Sequence, residues 1–325
     1  MASTPRKHVL VFRELPADQL ARISEVHHVT VANPRHPGQL AAFHAALPSA
    51  HGLIGSSFRI DETMLAGAAN LEVISSISTG VDNYPLELLR DRGILLCHTP
   101  DVLTETTADT IFALIMATSR RLVELALHVR NGAWDRNIGE DLYGWDVHGK
   151  TLGIIGFGRI GQAVARRAAL GFDMPVVYCG RRDVQVSGLE GKAMRVPMER
   201  LLAISDIVAL TLPLNEETRN LIGKRELQMM KPGSILVNGA RGAIVQEDAL
   251  LQALDTGHLR AAGLDVFATE PLPPDSRLRL HPRVTALPHA GSATHETRYR
   301  MAVLATDNLL QALAGERPAA VYSLH

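Results

Sequence analysis

The chain has 325 residues, 46% hydrophobic and 21% charged, with a formal net charge of −1. That length exceeds what one hydrophobic core usually organises, so two domains are expected, and the near-neutral balance leaves no field for nucleic acid as the main partner. Two cysteines, Cys97 and Cys179, are too few for a disulfide framework or a Cys-rich zinc site, no apolar run approaches the ~18 residues of a membrane span, and the start lacks a secretory apolar core; a cytoplasmic protein is expected.

From the amino end, short apolar runs at 8–12, 29–32 and 52–55 alternate with helix-like segments at 17–25 and 39–47. This alternation predicts a small α/β domain on a parallel sheet, continued by runs at 71–77 and 93–97. Between those two lies S-T-G-V-D-N-Y, residues 78–84, a small-residue turn directly after a strand. It reads either as a plain connection or as a cradle whose backbone N–H groups receive an anion.

Residues 104–131 carry the longest helical pattern, with Ile111, Leu114, Ile115, Leu122, Leu125 and Val129 on recurring faces and Gly132 as a stop. One long helix joining two domains is predicted there. Residues 135–150 are polar, with glycine and tryptophan, and read as a loop that could border a site.

T-L-G-I-I-G-F-G-R-I-G, residues 151–161, then runs from an apolar strand through a glycine turn into a helix, with another strand at 175–178. This is a dinucleotide-binding signature. Gly156 permits the tight turn, Gly158 lets backbone approach a pyrophosphate, and Gly161 lets helix and strand pack closely, so that the helix amino end faces the phosphates. Strands at 206–212, 234–238, 260–266 and 284–287 and helices at 197–204, 224–230 and 247–256 extend a doubly wound sheet. A last helix at 293–314 returns to the first domain. The expected organisation is therefore two doubly wound α/β domains of Rossmann or flavodoxin type: a discontinuous substrate domain of 1–103 and 290–325, and a dinucleotide domain of 104–289.

Ligands of such sheets bind beyond the carboxyl ends of the strands. Three strand ends place Arg241, Glu270 and His289 there. Each alone also suits an ordinary loop position, but together, beside a dinucleotide fold, they suit hydride transfer to a 2-keto acid without a metal. Arginine holds a carboxylate bidentately and polarises the adjacent carbonyl; histidine donates a proton to the developing alkoxide; a neighbouring carboxylate orients the ring and favours its charged form.

An NAD site usually carries an acid after its second strand, where it binds the ribose 2′-hydroxyl. Here the strand ends V-V-Y-C-G-R-R-D, so Cys179 and Gly180 stand in that turn and Arg181 and Arg182 follow. The pair suits a dianionic 2′-phosphate, and NADPH is expected over NADH, the plain alternative being a solvated basic pair with Asp183 beside it.

Through G-F-G-R-I-G, N-G-A-R-G, G-L-D-V-F-A-T-E-P and L-P-H-A-G-S-A-T-H-E-T-R, in that order, the chain resembles the D-isomer-specific 2-hydroxyacid dehydrogenases over nearly its whole length. Within them it is most similar to bacterial reductases of 2-ketogluconate, glyoxylate and hydroxypyruvate. The resemblance implies Arg241 on the substrate, His289 as proton donor paired with Glu270, and Thr79, Gly80 and Val81 on the substrate carboxylate. It implies Phe157, Arg159 and Ile160 at the pyrophosphate, Leu212, Pro213 and Thr218 near phosphates and ribose, and Gly239, Asp265 and Gly291 around the nicotinamide. It also implies a homodimer through the 104–131 region, and a preference for 2-ketogluconate, its 6-phosphate, glyoxylate or hydroxypyruvate over bulky apolar keto acids. Two rivals share the fold: a phosphite-type dehydrogenase and a dinucleotide-sensing corepressor. Ala268, where many relatives carry another acid, leaves the Glu before Pro271 intact.

Overall fold

Short apolar runs bounded by polar turns become the inner strands, buried on both sides as parallel sheets covered by helices require, while the edge strands His28–Val31, Ala193–Arg195 and Val284–Ala286 stay partly exposed. The computed structural model describes residues 5–324. In chain order the elements are β1 (His8–Val11), α1 (Ala17–Val26), β2 (His28–Val31), α2 (Leu40–Ala46), β3 (Gly52–Gly55), α3 (Glu62–Leu65), β4 (Val73–Ser76), α4 (Leu86–Asp91), β5 (Leu95–Cys97), α5 (Thr104–Ser119) and α6 (Leu122–Arg130). There follow β6 (Leu152–Ile155), α7 (Arg159–Gly171), β7 (Val176–Cys179), β8 (Ala193–Arg195), α8 (Met198–Ile204), β9 (Ile207–Leu210), α9 (Lys224–Met229), β10 (Ser234–Asn238), α10 (Glu247–Asp255), β11 (Leu259–Leu264), α11 (Arg277–Leu280), β12 (Val284–Ala286) and α12 (His295–Leu313).

The chain divides into two units, Met1–Leu103 with Ala293–His325, and Thr104–Ser292. The first holds a parallel sheet in the order β2-β1-β3-β4-β5. Phe12, Phe43, Leu53, Ile74 and Leu96 lie in its core, each worth roughly 1.5–3 kcal/mol of transfer free energy when fully buried. The sheet is closed by α12. Ser75 Oγ donates to Ala305 O at 2.7 Å, and a Cβ on Gly52 would stand 2.8 Å from Leu309 Cδ1, so glycine there lets the helix approach β3.

The second unit holds a parallel sheet in the order β12-β11-β10-β9-β6-β7-β8. Alternate strand residues feed two apolar layers: Ile154 and Val237 face one that includes Val164, while Leu210 and Leu236 face the other with Leu201 and Leu254. Strand order reverses between β6 and β9, which opens the crevice where ligands of this fold class sit. Among the described residues, no helix is long and apolar enough to cross a membrane.

Three expectations change. The single helix over 104–131 is two helices. The interruption has a tertiary cause: Trp145 N–H donates to Ser119 O at 2.9 Å, Gly144 lies so close that a Cβ would stand 2.8 Å from Arg120 Cα, and Arg121 turns left-handed (φ 55°). The Arg121 guanidinium is then fixed on Glu124 at 2.6 and 2.8 Å. Next, the chain returns to the first unit after Ser292 rather than after 289, because the N–H groups of Ala290 and Gly291 are bonded to Asp265 at 2.7 and 2.9 Å. Finally, the end of the 135–150 loop does not border the strands' carboxyl ends. Trp145 stacks under Arg260 at 4.3 Å, near the amino end of β11, the opposite edge of the sheet.

Candidate active site

The glycine turn has the shape its residues predict. Gly156 is left-handed (φ 96°) and a Cβ there would lie 2.7 Å from Leu212, so the turn and the segment after β9 meet only because the side chain is absent. Gly161, in the first turn of α7, would place a Cβ against Gly156 O. Gly158 has no atom within 4 Å of a Cβ position and caps α7 without a side-chain hydrogen bond. A helix amino end behind open space is the cradle a pyrophosphate needs, and the residues fit a dinucleotide. Arg159 and Ile160 open the helix. Phe157 is stacked on Tyr178, centroids 3.7 Å apart. After β9, Thr218 Oγ donates to Pro213 O at 2.8 Å, closing the Leu212–Pro213 segment into a loop beside the turn.

At the end of β7, Arg181 and Arg182 are exposed. The one carboxylate of the turn is withdrawn from them, because Tyr178 OH donates to Asp183 Oδ1 at 2.5 Å. Burial, and then this bond to a carboxylate, raise the Tyr178 hydroxyl above its ordinary range. A third arginine, which the sequence reading did not single out, joins them: Arg195 at the end of β8 donates to Gly180 O through Nε (3.1 Å) and Nη2 (3.0 Å).

The strand ends of the second unit assemble Arg241, Glu270 and His289. Glu270 Oε2 accepts from His289 Nδ1 at 2.7 Å, while Oε1 accepts from Phe267 N–H at 3.0 Å. Burial pushes the Glu270 carboxyl up, but the hydrogen bond and charge of His289, with the Phe267 N–H and the Arg241 charge, leave it below the ordinary carboxylate range. With Nδ1 committed to Glu270, Nε2 is the ring nitrogen left for proton transfer. His289 is itself left-handed (φ 54°) and is held in that turn through its N–H to Asp265 O at 2.8 Å.

Asp265 is 2% exposed; burial raises its carboxyl above the usual range, against the two N–H groups of Ala290 and Gly291. Its carboxylate thus organises the turn that carries His289. Arg241 is placed by Asn238, also absent from the sequence reading: Asn238 Nδ2 donates to Arg241 O and its Oδ1 accepts from Ala240 N–H, both at 3.0 Å. Gly239 packs against Ile111, which a Cβ would overlap. No group of three or more His, Cys, Asp or Glu that could hold a metal is present among the described residues.

In the first unit, the loop after β4 is braced by its own hydroxyls. Tyr84 OH donates to Ser76 Oγ (2.9 Å), Ser78 Oγ to Gly80 O (2.6 Å) and Thr79 Oγ to Thr99 O (2.8 Å). The N–H groups of Thr79, Gly80 and Val81 have no protein acceptor among the described residues. Consecutive backbone N–H groups without acceptors on a braced loop are a geometry suited to an anion.

A doubly wound sheet with a glycine cradle at its switch strand, and with an arginine and a carboxylate–imidazole pair at its carboxyl edge, defines a dinucleotide-dependent oxidoreductase. The chain belongs to the D-isomer specific 2-hydroxyacid dehydrogenase family, enzymes acting on CH–OH donors: the profile of that family's NAD binding domain matches residues 112–291. It is 48% identical over 307 residues, 94% of each chain, to glyoxylate/hydroxypyruvate reductase B of Yersinia pestis (strain Pestoides F). A crystal structure of a protein from Thermus thermophilus superposes with a TM-score of 0.89 at 44% identity, covering 97% of this chain and all of that one (100%). An NADPH-dependent glyoxylate/hydroxypyruvate reductase of Sinorhizobium meliloti, solved with NADP and malonate, gives 0.88 at 28% identity over 98% of both.

Proposed function

We propose that the protein is an NADPH-dependent reductase that converts a 2-keto acid to the D-2-hydroxy acid, with glyoxylate, hydroxypyruvate, 2-ketogluconate or its 6-phosphate as substrate. The observation that carries this is the 2.7 Å contact of His289 Nδ1 with Glu270, next to the Arg241 charge. When bound, the reduced nicotinamide supplies hydride to the keto carbon. Arg241 binds the substrate carboxylate and polarises the carbonyl, His289 delivers its Nε2 proton to the oxygen, and Glu270 orients the imidazole. Thr79, Gly80 and Val81 receive the carboxylate through N–H groups. Gly156, Phe157, Gly158, Arg159, Ile160 and Gly161 hold the pyrophosphate, Leu212, Pro213 and Thr218 the phosphates and ribose, and Gly239, Asp265 and Gly291 border the nicotinamide. The names of the Yersinia and Sinorhizobium relatives support the substrate class. Initial rates with each of the four acids and with phenylpyruvate test it; phenylpyruvate as the best substrate by kcat/KM rejects the reading.

Arg181 and Arg182 bind the 2′-phosphate in this proposal, supported by the withdrawal of Asp183 onto Tyr178 and by the NADP in the Sinorhizobium structure. The ratio of kcat/KM for NADPH over NADH is expected to exceed one. In Arg181→Ala with Arg182→Ala it should fall by about tenfold or more, since hydrogen bonds to charged groups contribute roughly 1.5–3 kcal/mol. A wild-type preference for NADH, or an unchanged ratio in the double variant, contradicts it.

The proposed assembly is a homodimer in the cytoplasm. Its support is α6, which buries no residue and leaves Leu122, Val123, Leu127 and Val129 about half exposed, with Trp134 at 62% just beyond. An apolar face of that extent calls for a partner surface. Leu127→Arg is expected to shift the protein from dimer to monomer in sedimentation equilibrium; a wild-type monomer refutes the dimer.

A further inference from the structure

Beside the Thr79 to Val81 loop, the first unit carries a second set of anion-seeking groups, on Arg13 and Arg35, that the reaction above leaves unused. Because β1 to β4 run parallel in the order β2-β1-β3-β4, the segments leaving their carboxyl ends form a row. Arg35 follows β2, Arg13 follows β1, Ser56 and Ser57 follow β3, and Thr79 to Val81 follow β4. The two arginines and the two serines are linked. Arg13 Nη1 donates to Ser56 Oγ at 2.5 Å and to Ser57 Oγ at 2.9 Å, and Arg35 Nη1 donates to Ser57 O at 3.2 Å. Ser57 is left-handed (φ 60°), which turns the chain sharply enough to offer one arginine its hydroxyl and the other its carbonyl.

A third cation comes from the first turn of α12, where Arg298 lies close enough for its charge to act on Arg13. Burial first, and then the charges of Arg298 and Arg35, hold the Arg13 guanidinium below the ordinary arginine range; only Glu14 opposes them, and its side chain is 88% exposed. An anion entering between these guanidinium groups would meet favourable charge from each of them. The Arg13 Nε and Nη2 make no hydrogen bond among the described residues, so two sets of donors remain for one.

We propose that this row is a distal subsite: with the keto-acid carboxylate on Thr79 to Val81, a phosphate ester at the far end of the substrate is held by Arg13, Arg35 and Arg298. The inference rests on the keto-acid reading given above and names its substrate class. Charge and reach fit the phosphate. Clustered guanidinium groups suit a dianion by charge and by geometry. From β4 to β1 is two strand spacings of ~4.8 Å, about 10 Å, and the Arg13 and Arg35 guanidinium groups are drawn onto the β3 turn within that interval. A six-carbon keto acid with a terminal phosphate spans seven bonds between its two anionic centres, about 8 Å at the roughly 1.2 Å per bond of an extended chain, and so ends among them.

The test compares kcat/KM, at saturating NADPH, for 2-ketogluconate 6-phosphate, 2-ketogluconate, 2-ketoglutarate and hydroxypyruvate in the wild type, Arg35→Ala, Arg35→Glu and Arg13→Ala. The wild type should favour the phosphorylated acid over 2-ketogluconate by at least about tenfold, and Arg35→Glu should bring that ratio close to one. Because Arg13 braces the β3 turn and its variant can misfold, the exposed Arg35 pair decides the question, with thermal unfolding to confirm an intact fold. Calorimetric binding of 6-phosphogluconate against gluconate supplies a readout independent of turnover, the phosphorylated acid binding more tightly in wild type and not in Arg35→Glu. Turnover of hydroxypyruvate with no advantage from the phosphate overturns the subsite alone. So does 2-ketoglutarate as the best of the four, or a ratio that Arg35→Glu leaves unchanged. Failure to reduce any of the four overturns the parent reading instead.

Discussion

Arg241→Ala is expected to lower kcat/KM for 2-keto acid reduction by about a hundredfold to ten-thousandfold while leaving the fold intact. The side chain gives up one brace of its own turn, Arg241 Nη1 to Ala240 O at 2.8 Å, but others remain: Asn238 clamps the carbonyl of Arg241 and the N–H of Ala240 at 3.0 Å each and Gly242 nests against Phe267 where no Cβ fits. What is lost is a bidentate grip on a carboxylate and its carbonyl, two charge-assisted hydrogen bonds at roughly 1.5–3 kcal/mol apiece. At about 1.4 kcal/mol per factor of ten, their sum gives the stated range. Arg241→Lys should lie between the two enzymes, well below wild type, because an ammonium restores charge but not the planar fork. Steady-state kinetics on both variants, with thermal unfolding as the control, settle the assignment; near-normal kcat/KM in either removes Arg241 from the reaction.

Arg241, Glu270 and His289 were legible because parallel sheets expose the residue just past each strand, and β10 and β12 are short apolar runs with clear ends. The glycine cradle was legible for a similar reason: backbone geometry at Gly156 and Gly161 excludes a side chain, and sequence records that directly. What periodicity could not show was the break between α5 and α6. The apolar pattern runs on through it, while the cause, Trp145 N–H on Ser119 O, comes from a distant loop. Arg195 escaped notice because β8 is three largely exposed residues with no alternation to mark a strand. Arg13 stood at a strand end, yet its partners arrive from β3 and α12, and the left-handed turn at Ser57 has no glycine to announce it. Asn238, by contrast, stood in plain view in N-G-A-R-G. A strand-terminal asparagine with both an acceptor and donors is the usual brace for such a turn, and that signal could have found it.

The pair of His289 and Glu270 yields the second large effect. Removal of the proton donor in His289→Ala is expected to reduce kcat by about a hundredfold to ten-thousandfold, the usual range for a positioned general acid. Glu270→Gln separates orientation from charge. The amide can still accept from Nδ1–H, so the ring should keep its placement, but the negative charge 2.7 Å from the imidazole is gone. In the wild type that carboxyl lies below its ordinary range, the hydrogen bond and charge of His289 outweighing its burial, so it is ionised throughout the neutral range and the Gln variant differs from it at every working pH. Reduction consumes the imidazolium proton and should fall as pH rises; oxidation of the hydroxy acid needs the neutral ring and should rise with pH. Without the carboxylate, the alkaline limb of kcat/KM for reduction should move to lower pH, and the acid limb for oxidation should move with it in the same direction. A pH series in both directions for wild type and Glu270→Gln measures this. If the two limbs stay where they are while kcat drops, Glu270 positions the ring only and its charge plays no part in the proton transfer.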